Sequence, residues 1–124
     1  MQFNSNFEYD LKIGNIGENL LAEILSNKKV EVKYDQKAKD TGNLYVELWS
    51  RGKWSGISTT KAEYVAFVVE GTGLIIIFET TKLHKLIKII IKESTLVKGG
   101  DSNTSQGVLL KLNKMGYYNS LLKG

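Results

Sequence analysis

Val30-Glu31-Val32-Lys33-Tyr34-Asp35, followed by Asn43-Leu44-Tyr45-Val46-Glu47-Leu48-Trp49, is the most informative stretch of the chain. Val30, Val32 and Tyr34 alternate with Glu31, Lys33 and Asp35, the period-2 pattern of a half-buried strand. Leu44, Val46 and Leu48 alternate with Tyr45, Glu47 and Trp49 in the same way. Read as an antiparallel hairpin centred on Lys39, the runs pair Glu31 with Glu47, Lys33 with Tyr45 and Asp35 with Asn43 on one face. Opposed carboxylates destabilise a sheet unless positive charge lies between them. A divalent cation on oxygen ligands, with Lys33 beside it, supplies that charge. The plain alternative is the solvated face of an amphipathic hairpin.

Outward from this stretch, the pattern is that of one mixed α/β domain. Ile13, Ile16, Leu20, Leu21, Ile24 and Leu25 recur at helical spacing, predicting a helix up to about Ser26, after a loose lead-in over residues 1–9. Asn15 and Glu18 fit a capping box at its start, with Glu18 at the edge of the apolar stripe. Glu18 is therefore either a cap or a third metal-directed acid. Gln36 to Gly42 reads as the hairpin loop, where Asp35 closes an Asx-turn. Arg51-Gly52-Lys53-Trp54-Ser55-Gly56 reads as a basic turn, and Thr60 with Glu63 as a capping box over a short helical turn starting at Lys61.

The remainder alternates again. Tyr64 to Glu70 and Leu74 to Glu79 form a hairpin through Gly71-Thr72-Gly73. Thr80 or Thr81 caps a helix with a core face of Leu83, Leu86, Ile87, Ile90 and Ile91, its lysines at 82, 85, 88 and 92 on the outer side. Gly99 to Ser105 is a polar loop, Gly107 to Leu112 a last strand, and Tyr117 to Leu122 a terminal helical turn. The order is α, β-hairpin, short α, β-hairpin, α, β: a mixed central sheet flanked by helices, in a single domain over residues 1–124.

Composition excludes more than it assigns. The chain has 124 residues, 42% hydrophobic and 24% charged, ordinary for one globular domain. There is no cysteine, which removes disulfides and thiolate metal sites. No signal peptide pattern opens the sequence and no apolar run is long enough for a membrane span, so the expected setting is cytoplasmic, or the host cytoplasm for a viral protein. Net charge of +4 and a pI near 9.2 favour a polyanionic partner. Arg51, Lys53 and Lys61 follow the acidic hairpin closely and are the candidate phosphate contacts. The single histidine, His84, lies on a lysine-rich helix and receives no role. No phosphate-binding loop, nucleophile elbow or dinucleotide fingerprint is present.

Gly17-Glu18 on the first helix, Glu31-Val32-Lys33 on a strand and Glu47 on the next resemble the PD-(D/E)xK nuclease superfamily, particularly small phage and microbial members. The stretches Thr41-Gly42-Asn43-Leu44-Tyr45-Val46-Glu47 and Ser55-Gly56-Ile57-Ser58-Thr59-Thr60-Lys61-Ala62-Glu63-Tyr64 are similar to their shared core, so the resemblance spans residues 14 to about 80. The superfamily places an Asp on one strand and Glu-x-Lys on the next. Here Glu31 stands for the Asp, Glu47 for the Glu, and Lys33 supplies the lysine from the first strand. The resemblance implies a restriction-endonuclease-like core and a Mg²⁺-dependent DNA endonuclease, with Mn²⁺ able to substitute. Glu31, Lys33 and Glu47 would be catalytic, and Glu18, Glu31 and Glu47 the metal ligands. A chain this small has no added domain for reading bases, so the implied enzyme is selective for branched DNA, as a Holliday-junction resolvase is, and works as a homodimer. The competing expectations are a catalytically inactive nuclease-fold module that binds nucleic acid, and a lysine-rich interaction protein with no nucleic-acid role.

Overall fold

The computed structural model describes residues 3–93, 96–99 and 104–123. The chain runs α1 (Phe3–Ser26), β1 (Val30–Asp35), α2 (Ala38–Thr41), β2 (Asn43–Ser50), β3 (Lys53–Trp54), a 3₁₀ turn (Gly56–Ser58), β4 (Tyr64–Val69), β5 (Leu74–Glu79), α3 (Thr80–Glu93), β6 (Val97–Gly99), β7 (Ser105–Lys111), a second 3₁₀ turn (Leu112–Lys114) and α4 (Met115–Leu122). This is an α/β domain in which strands and helices share one core, and no helix among the described residues is long and apolar enough to cross a membrane.

The expected β1–β2 hairpin does not form. β1 runs parallel to β4, with Glu31 beside Val65, Lys33 beside Phe67 and Asp35 beside Val69. β4 pairs antiparallel with β5 through the expected turn at residues 71–73. β2 instead pairs antiparallel with β7, setting Glu47 opposite Gly107 and Tyr45 opposite Leu109. The result is a mixed three-stranded sheet, β1-β4-β5, and an antiparallel four-stranded sheet, β3-β2-β7-β6. The reason lies in the connection. Residues 36–42 are not an open loop: they contain the helical turn α2 (Ala38–Thr41), with the Lys37 and Ala38 amides donating to Asp35. A hairpin needs a tight reversal in the plane of the sheet. Gly42 then ends α2 in the left-handed region (φ 74°), as a helix-terminating glycine does.

The core lies between the sheets. Val65, Phe67 and Val69 from β4 meet Leu44, Val46 and Leu48 from β2, and Val108 and Leu110 from β7. Leu83, Leu86, Ile87 and Ile90 of α3 close it, while Ile91, expected on that face, is exposed. Burying apolar side chains of this size is worth roughly 1.5–3 kcal/mol each before entropy is counted. Thr80 does not cap α3 through its side chain: its hydroxyl donates to the Ala62 carbonyl, pinning the start of α3 to the approach to β4.

Other boundaries shift for local reasons. Phe3, Phe7 and Leu11 continue the helical spacing, so α1 begins at Phe3: the expected lead-in is helical over residues 3–9, its residues 1–2 lie outside the described residues, and Asn15 lies within the helix and not at its start. Residues 61–63 form no helical turn: the Thr60 hydroxyl accepts the Ala62 N–H instead, and Glu63 joins an ion pair with Lys28. β3 lies within the expected basic turn, and Trp54 meets Trp49 edge to face at 4.8 Å. β6 borders β7 and was not foreseen, β7 starts at Ser105 rather than Gly107, and residues 100–103 of the expected polar loop lie outside the described residues.

The apolar pattern of β1 also points the other way from expectation. Glu31, Lys33 and Asp35 face the interior of the domain and are half-buried, whereas Val32 and Tyr34 are about 60% exposed, at 61% and 59%. They share that outer face with Ile75 and Ile77 of β5. α1 does not cover it: from Leu11 onward only Ile24 of this helix is buried.

Candidate active site

A cleft of about 500 Å³ opens between the two sheets. That is within the range of small-ligand and catalytic sites, roughly 300–1,000 Å³. Glu31, Lys33 and Asp35 enter it from β1, and Asn43, Tyr45 and Glu47 from β2. Ile57, Val65 and Phe67 supply apolar lining, and Lys98 comes from β6. Glu31, Lys33 and Glu47 are thus brought to one cavity although their strands belong to different sheets.

Asp35 is the joint that makes this possible. One carboxylate oxygen accepts the N–H groups of Lys37 and Ala38 at 3.0 and 2.9 Å, and the other accepts the Tyr45 N–H at 3.0 Å. The first pair is the expected Asx-turn. The third bond reaches across to β2 and ties the strand bearing Glu31 and Lys33 to the strand bearing Tyr45 and Glu47.

Glycines seat the β2 side chains. A Cβ at Gly99 would come within 2.6 Å of the Tyr45 ring, and one at Gly107 within 3.0 Å. The ring therefore occupies a slot that only glycine in β6 and β7 leaves open. Gly56, at φ 57°, lies against the backbone of Glu47, where a Cβ would overlap the Glu47 carbonyl oxygen and approach its Cβ to 2.9 Å. The pairing of β2 with β7 slips between Glu47 and Trp49, a bulge immediately after the glutamate, and bulges of this kind re-aim side chains.

Electrostatically the site is incomplete. The Glu31 Oε2 atom is buried and has no hydrogen-bond partner. The Lys33 Nζ is 3.9 Å away, in ion-pair range but beyond a hydrogen bond. A buried acceptor left without a hydrogen bond costs about 1–3 kcal/mol, more when charged. Tyr45 is the other poised group. Burial raises its pKa above the usual tyrosine value; the hydrogen bond to Ser105 at 2.8 Å opposes that, and the Glu47 charge adds to it. The phenol stays neutral at physiological pH.

The other candidate residues fall elsewhere. Glu18 stands on the exposed length of α1 and does not line the cleft. Arg51 (φ 50°) sits in the β2–β3 turn, Lys53 in β3 and Lys61 in the approach to β4; all three are exposed and none lines the cleft. The cations that do line it are Lys33, Lys37 and Lys98. Among the described residues no three of His, Cys, Asp and Glu cluster as a metal site. His84 contacts the Ile57 carbonyl at 2.6 Å and so anchors the 3₁₀ turn behind the cleft. Tyr45 was legible as a neighbour of Glu47 on its face of the strand. Lys98 carried no sequence signal, because β6 reaches the cleft only through its pairing with β7. No family model, no curated protein and no solved structure matches the chain.

Proposed function

We propose that the cleft is the active site of a metal-dependent endodeoxyribonuclease of the PD-(D/E)xK kind, hydrolysing DNA phosphodiester bonds with selectivity for branched DNA. The observation that carries this reading is that Glu31, Lys33 and Glu47 all line one cavity, with a buried Glu31 oxygen that has no hydrogen-bond partner. Carboxylate oxygens are the donors that Mg²⁺ and Mn²⁺ prefer, and an unmatched carboxylate oxygen fits such an ion. Glu31 and Glu47 would hold it, and when bound it supplies an activated water and charge against the scissile phosphate.

The chain's own residues do the rest. Lys33 presents its ammonium beside Glu31, where it neutralises charge building on the phosphate. Tyr45, kept neutral, offers a hydroxyl held in place by Ser105. Lys37 and Lys98 bind flanking phosphates at the cleft, and Arg51, Lys53 and Lys61 meet DNA beyond it. The apolar lining at Ile57, Val65 and Phe67 limits water, which strengthens each of these interactions. The enzyme acts as a homodimer, giving a branched substrate two cleavage centres.

A second reading, a nuclease-fold module that binds nucleic acid without cutting it, is favoured by the placement of Glu18, which leaves the cleft two glutamates of the three expected. One experiment separates them: Mg²⁺-dependent cleavage of linear, nicked, forked and four-way DNA by wild type and by Glu31→Ala and Glu47→Ala. The enzyme reading expects cleavage of branched substrates, lost in both variants with binding retained. Binding without cleavage in any divalent metal selects the module.

A further inference from the structure

α1 is amphipathic, yet from Leu11 onward it buries one side chain only, Ile24 at its base. At about 100° per residue its apolar positions form two ridges. One comprises Ile13, Ile16, Leu20 and Ile24; the other, rotated by roughly 140°, comprises Leu11, Leu21 and Leu25. Leu25 is 72% exposed. A helix with two ridges needs two apolar neighbours, and among the described residues of α1 only Ile24 is buried against one.

The same chain carries a second uncovered apolar face. Val32 and Tyr34 of β1 lie in register, through Ala66 and Val68 of β4, with Ile77 and Ile75 of β5. The outer side of the three-stranded sheet is therefore an apolar band on which, among the described residues, Val32, Tyr34, Ile75 and Ile77 stay exposed. Helix on sheet is how α/β domains normally close such a face.

We infer that this band is covered by α1 of a second copy of the chain, in a two-fold dimer in which each helix packs on the other's sheet and the second ridges of the two helices meet. Three observations select a second copy. First, α1 spans about 36 Å whereas six-residue strands span about 20 Å, so its own sheet can cover little more than half of it. Second, the exit from α1 keeps its helical direction through Asn27. The Asn27 N–H continues the helical ladder to the Glu23 carbonyl, and Lys28 bridges Glu23 and Glu63, at 3.5 and 3.4 Å, joining helix to sheet. Third, the area is that of an interface. The exposed apolar side chains of the two faces amount to on the order of 1,000 Å² per chain, against roughly 800 Å² per partner in a standard specific complex. Exchange of a terminal helix between identical chains is a low-cost route to such a dimer. The inference deepens the homodimer of the proposed nuclease but rests on no part of its chemistry.

The test uses the full chain. Sedimentation equilibrium of wild type should give twice 13.9 kDa at micromolar concentration. Leu20→Glu breaks the helix side and Ile77→Glu the sheet side; each should weaken the dimer by at least about 100-fold, since each buries a charge in an apolar contact. Mixing them is the decisive arm. A mixed pair retains one intact helix-on-sheet contact, so the mixture should dimerise more tightly than either variant alone. Circular dichroism reports folding; if either variant is unfolded, Ile16→Lys and Val32→Lys, at positions more exposed than those two, replace them in the same experiment. A monomeric wild type, a dimer indifferent to both substitutions, or a mixture no tighter than its components overturns the inference. Loss of nuclease activity with the dimer intact leaves it standing and strikes only the catalytic reading.

Discussion

Replacing Asp35 by alanine removes the one carboxylate that joins the two strands of the cleft. Three N–H donors lose their acceptor: Lys37, Ala38 and Tyr45. Lys37 is exposed and rebonds to water, but Ala38 is buried and Tyr45 half-buried, so their amides do not rebond freely. Loss of a helix-capping carboxylate costs about 0.5–2 kcal/mol and a stranded buried donor about 1–3 kcal/mol. The sum, about 1.5–5 kcal/mol, is a large part of the 5–15 kcal/mol typical of a whole domain. Urea unfolding followed by tryptophan fluorescence measures it directly. With a slope of about 1–3 kcal/mol per molar urea, the midpoint should fall by roughly 0.5–5 M at unchanged slope. Asp35→Asn keeps one acceptor oxygen and should lose about half as much. An Asp35→Ala midpoint within about 0.3 M of wild type would refute the claim that this side chain joins the strands.

Gly56→Ala should cost about 2–5 kcal/mol, since it combines a left-handed backbone with overlap on the Glu47 carbonyl, whereas Gly52→Ala, at φ 80° in open space, should cost only about 1–2 kcal/mol; paired urea titrations compare them. The raised pKa of Tyr45 makes its neutral form the stabilising one, so its contribution is complete below pH 10.0 and is lost as pH rises through the raised folded value. Tyr45→Phe should therefore flatten the fall in stability above pH 10, and an unchanged alkaline limb counts against the buried phenol. Lys37→Gln and Lys98→Gln should each lower the slope of log affinity for DNA against log salt by about 0.7–0.9, equally for all sequences. If only Arg51, Lys53 and Lys61 substitutions change that slope, DNA does not enter the cleft.

How much of this was legible in the sequence depends on the range of the interactions involved. The alternation at 30–35 and 44–49 marked two real strands, the turn at 71–73 a real hairpin, and the spacing of Leu83, Leu86, Ile87 and Ile90 the buried face of α3. Each is a local pattern. The Asx-turn at Asp35 was equally local, but its bond to the Tyr45 amide was not, and α2 turned what reads as a hairpin into a crossing between sheets. Strand partners are non-local choices, and nothing between residues 36 and 42 says that β1 will seek β4 and β2 will seek β7. Glu31, Lys33 and Glu47 met in one cleft by a different route from the expected cross-strand pairing. Glu18 shows the limit: a helical wheel places it at the edge of the apolar stripe, but the wheel does not say against what the helix will lie. The outward turn of Val32 and Tyr34 has the same origin, since period 2 identifies an apolar face without naming the layer that covers it.

Glu31 and Glu47 are proposed to hold a divalent cation in the cleft, and binding of Mn²⁺ tests this without reference to catalysis. Titration of Mn²⁺ into the metal-free protein, read by the loss of the free-ion paramagnetic resonance signal, should show a site that Mg²⁺ displaces. Glu31→Gln and Glu47→Gln should each weaken it by at least about 10-fold, because each removes a charged oxygen ligand. Glu18→Gln, which removes a carboxylate outside the cleft, separates a ligand from a bystander in the same titration. Affinity unchanged in both Glu31→Gln and Glu47→Gln, or no Mn²⁺ site in the folded wild-type protein, would contradict the account.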